Sequence, residues 1–348
     1  MEQKRIELLK KLSEARGISG HEDEVADILK TELRGHADTF ERDAIKNLFV
    51  LKGMDKPGPK VMLNAHMDEV GLYVTHITKE GYLRIGKAGG IDDRLLLGKK
   101  VLVGTSRLQG VTAIKAVHLS TREETETKVI KIDEIVVDVG AKSDKDLNGK
   151  VNAGDQITFE TSFGTFGDGF LVGKAFDDRA GCAVVAELLE MEWPFPVIGM
   201  FSAQEEVGTK GAHVGAWRYT PDMSITVEGT VAADVGEVKD YQEVTSLGAG
   251  TVITLKDGGM ITDHRMRNAL VEVAKENDLP WQFKRMPVGG TDARSIQLTR
   301  SGVEAIAVAI PARYIHSPVS LIKICDYEHT VALLSKFLAH LATVEVQR

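Results

Sequence analysis

Several short apolar runs in the chain lead into residues able to hold a metal ion. KVMLNA leads into His66, VIGMFSAQ into Glu205 and Glu206, DMSITV into Glu228, and AIAVAIPARYI into His316. Asp177 and Asp178 stand just before the helical pattern AGCAVVAELLEME. In open α/β sheets, ligands bind off the carboxyl ends of the strands, so these groups are expected along one edge. Nitrogen and oxygen donors without thiolates suit zinc, cobalt or manganese. His66, Asp177, Glu206, Glu228 and His316 are too many for one catalytic zinc with an open position. They fit two ions if one carboxylate, Asp177, bridges them. Two ions ~3.5–4 Å apart would share and activate one water and polarise a carbonyl. A nearby carboxylate outside the ligand set would take the water's proton and pass it to a leaving amine, worth roughly 10²–10⁴ in rate. That is metal-assisted hydrolysis, and an amide bond is its natural target.

Each position also has an ordinary reading. Residues two apart in an extended segment share a face. Asp68 could thus accept the second ring N–H of His66 and fix its tautomer; the alternative is a surface His-Met-Asp turn. Adjacent side chains in extended backbone point opposite ways, so one of Glu205 and Glu206 can reach a metal while the other faces substrate. Spacing alone does not say which. The alternative, two solvated glutamates before Gly208, is weakened by the apolar run FPVIGMFSA ahead of them. Either Asp177 or Asp178 could cap a helix, with Arg179 neutralising one carboxylate and leaving the other for metal. Glu228 alone would be a strand end, and His316 a structural loop histidine. The set is more informative than its members.

The elements that must position these groups alternate. Residues 2 to 16 carry an amphipathic helical pattern. Ser19 and Glu22 form a capping-box pattern before a second helix. NLFVLKG and KVMLNAHMD, separated by Lys-Pro-Gly-Pro, are expected as paired strands. Beyond Gly173, strands and helices alternate to a last helix over 325–342, which argues for an α/β layer fold. Residues 69 to about 164 differ, with short Val-, Ile- and Thr-rich runs bounded by Gly or Asp. They predict an all-β module, a small barrel. The organisation expected is one discontinuous α/β catalytic domain, 1–68 plus 165–348, with a β-rich insertion at 69–164.

Composition narrows the class. The chain has 348 residues, enough for a large core and more than one domain. A net charge of -8 gives no general attraction to nucleic acid. No run approaches the ~20 apolar residues of a membrane span, and the N-terminus lacks the apolar core of a signal peptide. With two cysteines, a disulfide framework and a thiolate zinc site are both unexpected. A cytoplasmic protein is expected. His21-Glu22 has no second His at the spacing of the His-Glu-x-x-His helix, and the nucleophile elbow, phosphate loop and dinucleotide fingerprint are absent.

The segments NAHMDEVGLYV, GKAFDDRAGC, FSAQEEVGTKGA, VEGTVAADVGE, VGGTDARSIQL and ARYIHSPVS, in this order, resemble the tetrahedral (TET) aminopeptidases. This family of co-catalytic metallopeptidases includes glutamyl and deblocking aminopeptidases and proteins once named cellulases or endoglucanases. KAGGIDDRLLLGKKVLVG and EIVVDVGAKS are similar to its inserted β domain, so the likeness spans essentially the whole chain. The resemblance implies a mixed-sheet, three-layer zinc-exopeptidase-like α/β domain with an inserted small β-barrel. It implies that His66, Asp177 and Glu228 hold one metal, and that Asp177, Glu206 and His316 hold the other. The ions would be Zn²⁺ or Co²⁺, with Mn²⁺ as an option. Glu205 becomes the general base, Asp68 the residue orienting His66, and Thr291 and Asp292 the border of the specificity pocket. Many members carry Asp where this chain has Glu228, which is one methylene longer. The resemblance further implies peptide substrates and a homo-oligomer, a hollow dodecamer of six dimers, each dimer joined through the β domain. Two other hydrolases compete. A deacylase or carboxypeptidase usually has a helical or α/β lid, and a glycoside hydrolase needs two carboxylates astride a sugar rather than a metal-ligand set.

Overall fold

The apolar runs that carry the candidate ligands become strands of one sheet. They are β3 (Val61–His66), β12 (Val197–Ser202), β13 (Met223–Val231) and β16 (Glu304–Arg313). The structure, a computed structural model, describes residues 3–122 and 126–342. β12 and β13 both run parallel to β3, and β16 runs parallel to β13. All four therefore present their carboxyl ends at the same edge. The sheet has 11 strands. β1 (Thr39–Arg42), β2 (Leu48–Lys52), β10 (Gly164–Phe166), β11 (Phe170–Gly173) and β17 (Ser320–Lys323) complete the order β1-β2-β12-β3-β13-β16-β17-β11-β10. β14 (Thr251–Ile253) attaches to β16, and β15 (Trp281–Phe283) to β14.

Helices cover both faces. α1 (Gln3–Glu14), α2 (Asp23–Glu32), α3 (Phe176–Glu190), α5 (His264–Glu276) and α7 (Ile324–Leu341) share one apolar core with the sheet. α4 (Lys210–Tyr219) and α6 (Ala293–Gln297) pack on the other face. Strand β12 shows why three layers form. Val197 and Phe201 enter the first core, while Ile198 and Met200 enter the second. A strand buried on both faces reads as a continuous apolar run. The same property changes one expectation. β2 and β3 do not pair, because β12 lies between them, antiparallel to β2 and parallel to β3. The Lys-Pro-Gly-Pro turn still joins them, but a strand apolar on both faces is best buried inside the sheet.

The chain between β3 and β10 forms the barrel. β4 (Gly71–Ile77), β5 (Leu83–Ala88), β6 (Lys100–Val103), β7 (Leu108–Ala113), β8 (Val136–Asp138) and β9 (Gln156–Phe159) close in the order β4-β5-β8-β7-β6-β9. Alternate residues such as Leu72 and Val74, or Val101 and Val103, fill its interior, as a period of two requires. This is the three-layer mixed-sheet architecture with an inserted small barrel that the sequence led one to expect. Among the described residues, no helix is long and apolar enough to cross a membrane.

Candidate metal centre

Asp177 sits at the middle of the site. Its Oδ1 lies 3.3 Å from His66 Nε2, and its Oδ2 lies 3.4 Å from His316 Nε2. Each imidazole meets one further carboxylate. His66 Nε2 is 3.0 Å from Glu228 Oε1, and His316 Nε2 is 3.3 Å from Glu206 Oε1. Two donor sets thus share one carboxylate, with a different oxygen turned to each. Glu228 Oε2 is buried and has no hydrogen-bond partner. A buried carboxylate oxygen left without a donor is costly, and a divalent cation would satisfy it. The nitrogen and oxygen donor set fits that reading.

Asp178 also lies near His66 and Glu228, but its oxygens are engaged. Oδ2 accepts the His66 amide at 3.1 Å and Oδ1 the Gly181 amide at 3.0 Å. Asp178 thereby caps the helical turn and ties it to the end of β3. The ordinary reading, a helix cap, fits Asp178, while Asp177 keeps both oxygens toward the histidines. Arg179 neutralises neither. Its guanidinium turns to the carbonyls of Leu12, Ala15 and Gly17 and to Glu69, which Lys174 also holds at 2.7 Å. The end of α1 offers unpaired carbonyls, which suit a cation.

The loop after β12 carries Glu205 and Glu206 and is held at each successive amide. Ala203 donates to Asn47 Oδ1 at 2.8 Å and Gln204 to Glu22 Oε1 at 3.1 Å. Glu205 and Glu206 donate to the two oxygens of Asp68 at 3.0 and 3.1 Å. Ser19 donates to Asp68 as well, at 2.6 Å. These bonds replace the expected capping box. Glu22 accepts from Gly20 and Gln204 rather than capping α2, and the Ser19 hydroxyl goes to Asp68. The His66 ring is held by the same residue. Nδ1 donates to the Asp68 carbonyl at 3.0 Å, with the carboxylate oxygen further away at 3.4 Å. Asp68 therefore fixes both the imidazole and the glutamate pair.

Two glycines that sequence reasoning passed over also belong here. Gly89 and Gly90 follow β5 of the barrel. A Cβ on Gly89 would stand 3.1 Å from Glu206 Cβ, and one on Gly90 would stand 3.5 Å from His316 Nδ1. Gly89 also has φ +82°, which favours glycine. The Gly-Gly pair in KAGGIDD was the available signal.

Burial dominates the electrostatics. It pushes the carboxyl of Glu205 up to about 10, with repulsion from Glu228, Asp292 and Glu206 working against the pull of His66. It likewise pushes Glu206 and Glu228 up to about 8 each, in opposition to the attraction of His316 and His66 respectively. Burial opposes the charged form of His316, but Asp177 and Glu206 outweigh it and raise the imidazole to about 9. Asp177 differs from these three glutamates. The two histidines overcome its burial and hold it well below the usual carboxylate range.

A cavity of about 370 Å³ opens beside these groups. His66, Asp177, Glu205, Glu206, Glu228 and His316 form one side, and Lys284, Thr291 and the Gly289-Gly290 turn another. Among the described residues the Glu205 carboxylate has no hydrogen bond or ion pair, and it faces this space. Thr291 lines the cavity and donates to Asp257 at 3.1 Å. Asp292 does not reach the cavity surface. It is fully buried behind it and accepts from Asn64 at 3.1 Å and from Ser202. Arg313, at the end of β16, is bound to Asp234 at 2.7 and 2.8 Å.

Similarity to known proteins identifies the class as peptide hydrolases. A family model described as M42 glutamyl aminopeptidase matches residues 46–333, and the chain belongs to this M42 family. The putative aminopeptidase FrvX of Escherichia coli (strain K12) is 35% identical over 98% of this chain and 97% of its own. The lysyl aminopeptidase of Pyrococcus furiosus is 33% identical, over 97% and 98%. Among solved structures, the TET aminopeptidase of Thaumarchaeota archaeon SCGC AB-539-E09 superposes with TM-score 0.92 at 32% identity, covering 97% of this chain and 99% of that one. The TET1 peptidase of Pyrococcus horikoshii, which can assemble into a tetrahedron or a large octahedral shell, gives 0.85 at 33%, covering 95% and 98%.

Without metal, the site stores protons. Glu206 and Glu228 titrate at about 8 rather than 4.5, and His316 at about 9 rather than 6.5. From pH 6.5 to about 8 the folded protein thus binds more protons than the unfolded chain, and its stability falls as pH rises through that window. Metal ions displace those protons. Thermal melts should show a larger gain from added Zn²⁺ or Mn²⁺ at pH 8 than at pH 6.5. An equal gain at both would contradict this electrostatic picture.

Proposed function

We propose that the chain is a metal-dependent aminopeptidase that releases the N-terminal residue of peptides. His66, Asp177 and Glu228 would hold one divalent ion, and Asp177, Glu206 and His316 the other, with zinc or cobalt favoured by the donor set and manganese possible. The observation that carries this reading is Asp177, whose two oxygens face two different histidines. When bound, two such ions supply Lewis acidity to a water and to the scissile carbonyl. Glu205 then accepts a proton from the attacking water and returns it to the departing amine. Among the described residues its carboxylate has no partner, and it lies on the cavity wall; both support that role. Asp68 acts by positioning, since it holds the His66 ring and the amides of the glutamate pair. Thr291 borders the substrate, while Asp292 braces Asn64 and Ser202 behind it.

The same reading divides the chain into a catalytic domain, 1–68 with 165–348, and a dimerisation domain, 69–164, built around the barrel. The assembly proposed is a homo-oligomer, a dodecamer built from six dimers. The tetrahedral assembly of the similar TET1 peptidase supports it. Two free cysteines fit the reducing cytoplasm proposed as its location.

Glu205→Gln should keep its full metal content, measured by atomic emission, and lose at least ~10²-fold in kcat. If the variant lost metal instead, the roles of the two glutamates would be reversed. Light scattering of the purified protein should report the mass of a dodecamer. A stable monomer would remove the assembly from the proposal.

A further inference from the structure

The start of α7 brings three metal-type side chains together away from the cavity. Cys325, Asp326 and His329 each offer a ligand atom, and the sulfur, oxygen and nitrogen all lie within 4.8 Å of one another. None of the three lines the cavity that Glu205 and the two histidines line. The local sequence explains the convergence. On a helix, residues three and four apart are neighbours on one face. His329 stands four residues after Cys325 and three after Asp326.

The imidazole carries the strongest indication. His329 Nδ1 is buried and, among the described residues, has no hydrogen-bond partner. A buried ring nitrogen left in this way is costly, and a metal ion would take up its lone pair. Asp326 is fully buried. Its oxygens accept the amides of Gly248 and Gly250 at 2.6 and 2.8 Å. These bonds fix the carboxylate and leave each oxygen a further lone pair, so the ligand is oriented before an ion arrives. Cys325 is a free, partly buried thiol. Burial pushes the thiol up and Asp326 adds to that, while the Lys323 ammonium works toward the thiolate, the form that binds metal. Two cysteines are too few for a zinc site built from thiolates alone. One thiolate with an imidazole and a carboxylate is still a zinc-type set, with water as the fourth ligand. The sulfur disfavours magnesium, calcium and manganese.

We propose that Cys325, Asp326 and His329 hold a third divalent ion, zinc or another thiophilic metal, separate from the dinuclear centre. The ion would clamp the first turn of α7 and, through Asp326, the turn at 248–250 that leads into β14. It binds more weakly than the dinuclear pair and fills after it. The positive end of the helix opposes a cation, and the thiol must first release its proton. The proposal is independent of the aminopeptidase reading, which needs no thiolate.

The test uses the full-length protein at equilibrium with Co²⁺ in dialysis. Cobalt bound to a thiolate gives a near-ultraviolet charge-transfer band that nitrogen and oxygen ligands do not give, so the dinuclear centre contributes nothing there. Wild type should show the band and hold about three ions per subunit, and added Zn²⁺ should bleach it. Cys325→Ser should abolish the band and His329→Gln should abolish or greatly weaken it. Both variants should hold about two ions and release N-terminal residues as wild type does. Cys182 remains in both as the control thiol, buried and donating to the His66 carbonyl at 3.1 Å. No band in wild type at saturating Co²⁺ would overturn the proposal without any variant. A band that survives in Cys325→Ser would belong to Cys182 and would overturn it as well.

Discussion

The site depends on one loop being held against its own charge. Glu205 and Glu206 are neighbours, both largely buried, beside Asp177 and Glu228. Left to themselves these carboxylates would separate, and a loop after a strand is the easiest part of a fold to move. Here Asn47, Glu22 and Asp68 hold it by accepting the amides of four successive residues, Ala203, Gln204, Glu205 and Glu206. Asp68 contributes both oxygens and stands two residues past His66. One buried acid therefore sets the distance between the imidazole on β3 and the carboxylates after β12. Preorganisation of this kind keeps the donors in place before any ion or substrate arrives.

The parallel core of the sheet makes that economy work. β3, β12, β13 and β16 bring His66, the glutamate pair, Glu228 and His316 to one edge, and Asp178 ties the start of α3 to the end of β3. The barrel takes part as well. Its Gly89-Gly90 turn passes so close that a side chain on Gly89 would press on Glu206, while one on Gly90 would meet His316 at ordinary contact distance. Arg16, after α1, reaches the Gly104 carbonyl next to β6, and Arg107 reaches Glu24 on α2. The barrel is thus joined to the helical layer and to the site rather than hanging from its two connections.

Much of this was legible before the structure, for a physical reason. Strands buried on both faces are continuous apolar runs, and a histidine or acid at the end of one is visible without knowing the sheet order. That is how His66, Glu206, Glu228 and His316 were found. What the sequence hid depends on distant contacts or on backbone conformation. The insertion of β12 between β2 and β3 is a long-range pairing. Ser19 and Glu22 match a local cap, but buried Asp68 and the Gln204 amide compete for them and win. Arg179 was read against one of the two aspartates before it, whereas its partners lie at the end of α1, just beyond it and at Glu69. Ala175, Gln204, Tyr314 and His316 all adopt positive φ, at 56°, 59°, 60° and 54°. No glycine announces these turns, and such strain is tolerated where surrounding bonds over-determine the backbone.

The claim at the centre is that these converging groups hold two ions on which hydrolysis depends. The direct measurement is to strip the protein with a chelator, add back Zn²⁺, Co²⁺ or Mn²⁺ in steps, and follow bound metal and N-terminal release together. Activity should be absent in the stripped protein and return as binding approaches two ions per subunit. Undiminished release by the stripped protein, or failure to bind any of the three ions, would contradict it.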